Sequence, residues 1–415
     1  MAVESTPTRD AAAYAAAIRE TPDVPEVRPL SGAERLALVD VLRGVAILGV
    51  LLAYTLWSLG SPPPETWTHT DTAIDTLGSY LVDTKFISIF AFLFGVGTAQ
   101  QWRRAETDAR RRNAIHVRRM SFLLAAGLLH ATLIRNGDIL APYAILGLVL
   151  LAARKVSSRQ LVVAIVVLAL LPYAIQIAYQ VLGLKTADRP GSGSDASVWT
   201  HYWSDNFNWV RYWFLTNPLF QWPRILAVML AGVLADRMRL MPRIAADRRL
   251  AQRVFAVALP LAVVAKAGSI MLALQWSAQR APLARGIVLN QLYYIAAWSL
   301  AAVYVAAFAL VCQRPGWPAR LMWLRDVGRM AFTNYLLQGL LVVPFCLAFG
   351  LFDAVTPTRG LLLALGVMAI EIPFSVWWLG RFEYGPIEWL WRRTTYGADF
   401  AARRRASNSI PAGAR

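Results

Sequence analysis

Three ionisable residues lie inside or beside apolar segments that are long enough to cross a lipid bilayer. Lys85 begins the segment KFISIFAFLFGVG, His130 lies in MSFLLAAGLLHATLI, and Asp138 follows the short turn at 135–137. Charged groups in lipid are costly, usually face the interior of a helix bundle and often mark a site. A carboxylate orients an imidazole as a general base, and an ammonium group stabilises a developing oxyanion. We therefore predict that His130, Asp138 and Lys85 form a catalytic group.

The spacing predicts that these residues lie at a similar depth. With a rise of about 1.5 Å per residue, His130 lies roughly 9 Å and Lys85 roughly 10 Å below the outer surface. The short turn before Asp138 makes the flanking segments antiparallel neighbours, so we expect His130 and Asp138 within hydrogen-bond reach or one water apart. The alternative is structural, with His130 bonded to a backbone carbonyl and Asp138 capping the next helix.

A second polar group lies nearer the cytoplasmic side. Asp40 and Arg43 are three residues apart in VDVLRGVAILGVLL and can pair on one helix face. In GRMAFTNYLLQ, Arg329 lies at the interface, with the amides of Asn334 and Gln338 further in. We expect the two arginines to hold the phosphates of a cytosolic anionic donor, with the amides along its path. The alternative is a structural Asp40–Arg43 pair and interfacial snorkelling of Arg329.

Glu388 is a secondary candidate site residue. In GPIEWLWRRTTYG it forms an i, i+4 pair with Arg392 on a short interfacial helix that begins at Pro386. The sequence has no Gly-rich phosphate loop, no HExxH and no Asp-rich magnesium site, and its two cysteines lack metal-ligand spacing. No metal and no permanently bound cofactor is therefore expected.

The elements that position these residues are membrane-spanning helices. The chain has 415 residues, 57% of them hydrophobic, and its apolar runs recur at the length of about 20 residues that crosses a bilayer. This pattern excludes an ordinary soluble domain and predicts an all-α polytopic integral membrane protein with about ten transmembrane helices. The predicted spans are approximately 36–59, 78–101, 117–135, 138–153, 160–183, 218–236, 252–276, 286–312, 328–352 and 359–380.

The formal net charge of +17 reflects topology. The arginines form short clusters in alternate connectors between apolar spans and make no continuous basic face, which argues against nucleic acid as a partner. By the positive-inside rule, the arginine-rich connectors and both termini are cytoplasmic.

Five ordered motifs carry a resemblance to a known family. They are VDVLRGVAILGVLL at 39–52, KFISIFAFLFGVG at 85–97, LLHATLIRNGDIL at 128–140, GRMAFTNYLLQ at 328–338 and GPIEWLWRRTTYG at 385–397. Together they resemble the bacterial YeiB-like membrane proteins, which carry a C-terminal domain of unknown function numbered 418. The N-terminal half is similar to membrane acyltransferases of the heparan-alpha-glucosaminide N-acetyltransferase type. In heparan-alpha-glucosaminide N-acetyltransferase a functionally important histidine lies in the loop after the first span. In this chain His69 lies in the corresponding loop, but its flanking residues differ.

Composition and the resemblance together predict five regions along the chain. They are a disordered cytoplasmic tail at 1–33, an acyltransferase-like helical bundle at 34–184, an extracytoplasmic loop with an aromatic interfacial helix at 185–217, a YeiB-like helical domain at 218–400 and a basic disordered tail at 401–415.

The implied function is acyl transfer in the bacterial plasma membrane. Cytosolic acyl-CoA, such as acetyl-CoA, is the expected co-substrate, and the acceptor is an extracytoplasmic or lipid-linked glycan or a lipid. Two alternatives stay open: a permease or exporter of a small polar or lipid-like molecule that uses the same ions as a proton relay, and a non-catalytic scaffold. The expected partners are the bilayer and the acceptor, with a homo-oligomer or a membrane-complex partner also open.

Overall fold

The computed structural model describes residues 37–104, 109–134, 137–184, 198–215, 217–276 and 282–397. Within these ranges every regular element is a helix and none is a strand, which confirms the predicted all-α class. The two predicted terminal tails lie outside the described residues, and so do residues 135–136 of the predicted turn and 185–197 of the predicted outer loop.

The described helices follow one another along the whole chain. They are α1 (Ala37–Trp57), α2 (His69–Leu81), α3 (Lys85–Arg104), α4 (Ala109–Leu133), α5 (Leu140–Ala153), α6 (Ser158–Val181), α7 (Val198–Leu215), α8 (Asn217–Phe220), α9 (Trp222–Arg237), α10 (Leu240–Ala246), α11 (Arg248–Gln275), α12 (Pro282–Cys312), α13 (Trp317–Arg320), α14 (Met322–Arg329), α15 (Ala331–Ala348), α16 (Pro357–Leu379) and α17 (Pro386–Tyr396).

Seven helical segments in the described residues are long and apolar enough to cross a membrane. They are α1, the α2–α3 segment, α6, α11, α12, α15 and α16, and each coincides with a predicted span. The other three predicted spans coincide with α4, α5 and α9. The 14 residues of α5 and the 16 of α9 fall short of the usual length of about 20, and α4 begins with the arginine-rich run ARRRNAIHVRR. The chain is a multi-pass membrane protein.

Helix α1 packs closely against α14 through two glycines. A Cβ atom on Gly44 would lie 2.0 Å from the carbonyl oxygen of Leu324, and one on Gly328 would lie 1.8 Å from that of Asp40. The two backbones are therefore in direct contact, a geometry that small residues permit between membrane helices. This contact fixes α14, and the α15 that follows it, against α1.

An apolar core joins the helices that carry the predicted site. Buried Leu123 of α4, Tyr143 of α5, Met229 of α9 and Tyr335 of α15 all belong to it. In lipid, helix association depends on van der Waals packing more than on removal of apolar surface from water. Interdigitation of these side chains therefore holds α4, α5 and α15 in a fixed relation.

Candidate active site

His130 and Asp138 form a buried pair. The Nδ1 atom of His130 lies 3.0 Å from Oδ1 of Asp138, and the two residues are 1% and 4% exposed. His130 lies in the last turn of α4, and Asp138 comes two residues before α5 begins. The short connection between antiparallel helices brings the two side chains together, as the sequence predicted.

Asp138 has a separate role for each carboxylate oxygen. Its Oδ2 accepts a hydrogen bond of 3.0 Å from the backbone N–H of Ala141, so it satisfies one of the free donors at the start of α5. Its Oδ1 contacts His130. The capping function and the imidazole contact, which the sequence offered as alternatives for Asp138, are both present.

Tyr335 of α15 completes the pair. Its hydroxyl donates to Oδ1 of Asp138 at 2.9 Å and accepts from the backbone N–H of Ile139 at 3.2 Å. Its ring centroid lies 5.1 Å from that of His130. Sequence reasoning missed Tyr335 because it is separated from Asp138 by nearly 200 positions. The available signal was a phenol beside Asn334 in the apolar motif at 328–338.

The second ring nitrogen of His130 has no hydrogen-bond partner among the residues that the structure describes. Nε2 is buried and unpaired, and a Cβ atom built on Gly339 of α15 would lie 2.7 Å from it. Because a carboxylate accepts at Nδ1, the proton of the neutral ring resides on Nδ1 and the lone pair on Nε2. The acceptor nitrogen Nε2 of His130 is therefore held directly against Gly339.

Lys85 does not join this pair. Its ammonium group donates to the backbone oxygen of Ser79 at 2.7 Å and lies 5.6 Å from the ring centroid of Tyr293. No described hydrogen bond or ion pair connects Lys85 with His130 or Asp138. A similar depth on two helices does not fix the direction in which each side chain points, so the described contacts do not bring Lys85 to the pair.

The two arginines of the predicted cytoplasmic-side group do not share a partner among the described contacts. Arg43 pairs with Asp40 at 3.0 Å, as the i, i+3 spacing predicted. Arg329 lies 3.6 Å from Asp326 and donates to the backbone oxygen of Glu383 at 2.8 Å. The two arginines are thus held by different partners, and Arg329 is engaged by α14 and by the segment before α17.

Asn334 and Gln338 bind the neighbouring helix α16. The amide of Asn334 donates to Ser375 Oγ at 2.9 Å, and that of Gln338 donates to Glu371 at 3.1 Å. All four side chains are fully buried. The sequence predicted amides on this inner face, but in the structure they form two polar links, one helical turn apart, between α15 and α16.

The two secondary candidates, His69 and Glu388, both lie at the start of a helix. His69 is exposed at the start of α2, where Thr68 and Asp71 form a capping box. Glu388 accepts hydrogen bonds from the backbone N–H groups of Phe332 and Thr333, at 2.8 and 3.0 Å. Glu388, which belongs to α17, thereby caps the N-terminus of α15. Burial raises the pKa of its carboxyl group.

These features define a class, the all-helical multi-pass membrane proteins, here with an oriented histidine buried in the helix bundle. Residues 235–398 match a family model described as Protein of unknown function (DUF418). The chain is 30% identical over 408 residues to the Uncharacterized protein YxaH of Bacillus subtilis (strain 168), which covers 89% of this chain and 96% of that relative. It is 27% identical over 391 residues to the Uncharacterized protein YeiB of Escherichia coli (strain K12), covering 88% of this chain and 97% of that relative.

The chain therefore belongs to the YeiB-like family, which confirms the resemblance carried by the five motifs. A third relative, an uncharacterized 39.9 kDa protein of Bacillus acidopullulyticus, is 26% identical over 374 residues and is covered to 97% of its length. No solved structure matches the chain. None of the relatives' names states an activity, and the similarity to membrane acetyltransferases remains a prediction.

Proposed function

We propose that this protein is a membrane-embedded acyltransferase in which Nε2 of His130 is the general base. The observation that supports the proposal is a buried imidazole whose Nδ1 is fixed by a carboxylate and whose Nε2 has no partner within the described ranges. A histidine that served packing alone would be expected to have both ring nitrogens satisfied, because an unmet buried polar atom costs about 1–3 kcal/mol.

The proposed reaction is direct transfer from a thioester. Nε2 takes the proton of an acceptor hydroxyl or amine while the acceptor oxygen or nitrogen forms a bond to the thioester carbonyl carbon. The tetrahedral intermediate then collapses, the carbon–sulfur bond breaks, and the leaving thiolate takes the proton back from Nε2. The products are the acylated acceptor and the free thiol, and the imidazole returns to its neutral form.

Asp138 and Tyr335 position the base. The carboxylate keeps the Nδ1–H of His130 directed towards it, and it stabilises the imidazolium that forms during proton transfer. The Tyr335 hydroxyl and the Ala141 N–H hold that carboxylate in place. The base therefore has a fixed orientation before any substrate binds, which reduces the reorganisation that the reaction requires.

The donor and acceptor in this proposal are those expected from the predicted similarity of the N-terminal half to membrane acyltransferases. Acetyl-CoA or another acyl-CoA is the co-substrate, and an extracytoplasmic or lipid-linked glycan, or a lipid, is the acceptor. The paired Arg43 and Asp40 stay in the proposed donor path. Arg43 keeps this place because its side chain is 34% exposed despite the pair. Asn334, Gln338, Arg329 and Lys85 are more deeply buried in their described contacts and receive no role in the proposed reaction.

Proton-coupled transport is the second candidate. The observation that favours it is Glu371 in the middle of α16, fully buried and bonded to the neutral amide of Gln338. Ionisable residues within membrane helices often belong to proton relays. If the protein works in this way, vesicles that contain it should take up protons together with a solute and should consume no thioester. Glu371→Gln should lose the coupled proton and solute movement.

The test is thiol release from acetyl-CoA by the purified protein in vesicles of native membrane lipid, which supply the acceptor. We expect wild type to release coenzyme A, and His130→Gln to lower the rate about 10²–10⁴-fold, the range for loss of a general base. His69→Gln is the matched control, because that histidine is exposed. Equal rates for wild type and His130→Gln, or a loss confined to His69→Gln, would refute the assignment.

A further inference from the structure

A second polar group lies between the facing ends of α3 and α4, far from His130. We call it the α3–α4 cluster and define it by Thr98, Gln101, Trp102, His116 and Arg119. The ring centroids of Trp102 and His116 are 5.9 Å apart, and Arg119 donates to Oε1 of Gln101 at 2.6 Å. Arg119 and His130 are eleven residues apart on α4, or about 16 Å along the helix axis.

Each residue of the α3–α4 cluster has an unmet polar atom. Five polar atoms are buried without a partner in the described part of the chain: the hydroxyl of Thr98, the amide nitrogen of Gln101, the indole N–H of Trp102, Nδ1 of His116 and Nε of Arg119. Thr98 and His116 are fully buried, and Gln101 and Trp102 are at least nine-tenths buried. Native structures rarely leave such atoms unpaired, so five of them in one cluster indicate a polar ligand.

The charge around the α3–α4 cluster is positive. Arg119 is stacked 4.7 Å from the ring centroid of Trp391 and 5.6 Å from that of Phe94, and no carboxylate among the described residues pairs with it. Arg43 and Arg392 lie close enough to repel it electrostatically. Two carboxylates in this part of the molecule already pair with other arginines, Asp40 with Arg43 and Asp236 with Arg103, the neighbour of Trp102. A cation held this way favours an anionic partner.

The available donors select the chemistry of that anion. The amide of Gln101, the indole of Trp102 and the guanidinium of Arg119 offer N–H groups, which suit the several oxygens of a phosphate. Cation–π stacking fixes the guanidinium but leaves its Nε–H unused, so stacking alone does not account for the cluster. His116 donates through Nε2 to the backbone oxygen of Gly147, at 2.9 Å.

We infer that the α3–α4 cluster binds a phosphate-bearing anion through Arg119, Gln101 and Trp102. The phosphate has two sources, a soluble phosphate ester from the cytoplasm and a lipid headgroup of the inner leaflet. The arginine-rich start of α4 is predicted to face the cytoplasm, which places the cluster towards that side. The inference does not depend on catalysis by His130, because binding is measured without any reaction.

The experiment measures binding to full-length protein in nanodiscs. One arm titrates ADP into discs of phosphatidylcholine, and the other compares the thermal unfolding temperature in phosphatidylcholine with that in discs containing phosphatidylglycerol. Saturable ADP binding supports the soluble source, and stabilisation by phosphatidylglycerol alone supports the lipid source. Neither effect in wild type would overturn the inference.

Three variants locate the effect. Arg119→Gln removes the charge, and we expect it to weaken binding about 10- to 100-fold. Trp102→Phe keeps an aromatic ring and removes the N–H donor, so it tests the cluster even if Arg119→Gln does not fold. Arg118→Gln is the matched control, since Arg118 is the exposed neighbour on the same helix. Wild-type affinity in both Arg119→Gln and Trp102→Phe would overturn the inference, as would an equal loss in Arg118→Gln.

Discussion

Replacing Gly339 with alanine tests the contact that defines the site. The new methyl group would lie 2.7 Å from Nε2 of His130 and 2.8 Å from Cγ2 of Ile134, both shorter than van der Waals contact. The imidazole cannot turn away without losing its 3.0 Å bond to Asp138. The substitution therefore adds an overpacked methyl group directly against Nε2, the nitrogen that is assigned to proton transfer.

The magnitude follows from two opposing terms. Overpacking in a well-filled interior costs about 1–3 kcal/mol, whereas exchanging glycine for alanine inside a helix gains about 0.5–1 kcal/mol. We expect Gly339→Ala to lower the free energy of unfolding by about 1–2 kcal/mol. Gly366→Ala on α16 is the matched control, because no atom lies within 4 Å of its added methyl. That variant should be neutral or slightly more stable.

The assay is a double-mutant cycle in detergent micelles, with denaturant titrations of Gly339→Ala, His130→Ala and the double variant. Removing the ring relieves part of the clash, so the two changes should couple by about 1 kcal/mol. The same cycle with Gly366→Ala should show coupling below about 0.5 kcal/mol. A stabilising Gly339→Ala, or a coupling no larger than that of the control cycle, would refute the described position of Nε2.

Three further predictions concern the surroundings of the site. Tyr335→Phe removes the hydroxyl that donates to Asp138 and should cost about 1–2 kcal/mol in denaturant titration. Gly328→Ala places a methyl 1.8 Å from the backbone oxygen of Asp40, so little monodisperse protein should be recovered by size-exclusion chromatography. Burial raises the pKa of Glu388, so its contribution to stability is full below the ordinary pKa of about 4.3 and is lost as the pH rises through the raised value. The thermal unfolding temperature of wild type should fall as the pH rises from about 4.3 through the raised pKa of Glu388, and that of Glu388→Gln should not.

Each of these three predictions has a contrary outcome. Unchanged stability of Tyr335→Phe would mean that the phenol does not hold the carboxylate. Wild-type yield of Gly328→Ala would contradict the direct backbone contact between α1 and α14. Parallel pH profiles for wild type and Glu388→Gln would assign the decline to another group.

Local sequence was enough to predict the His130–Asp138 pair. Two helices joined by a few residues must be antiparallel neighbours, and their facing ends are then close whatever the rest of the bundle does. The Asp40–Arg43 pair was predictable for the same reason, because i, i+3 spacing places both on one helix face.

Contacts between distant segments were not predictable in this way. Hydropathy gives the depth of a residue but not the rotation of its helix, so Lys85 was predicted beside His130 and instead contacts Ser79 and Tyr293. Tyr335 reaches the site because α14 and α15 are fixed against α1, a consequence of the whole packing. The bond between Gln338 and Glu371 likewise depends on how α15 and α16 are oriented towards each other.

The central claim is that the unpaired nitrogen of His130 removes a proton from an acyl acceptor. The most direct measurement is transfer of radioactivity from acetyl-labelled acetyl-CoA into the lipid and glycan fractions of membranes containing equal amounts of each protein. We expect labelled product with wild type and His69→Gln, and none above background with His130→Gln. Equal labelling by wild type and His130→Gln would contradict it.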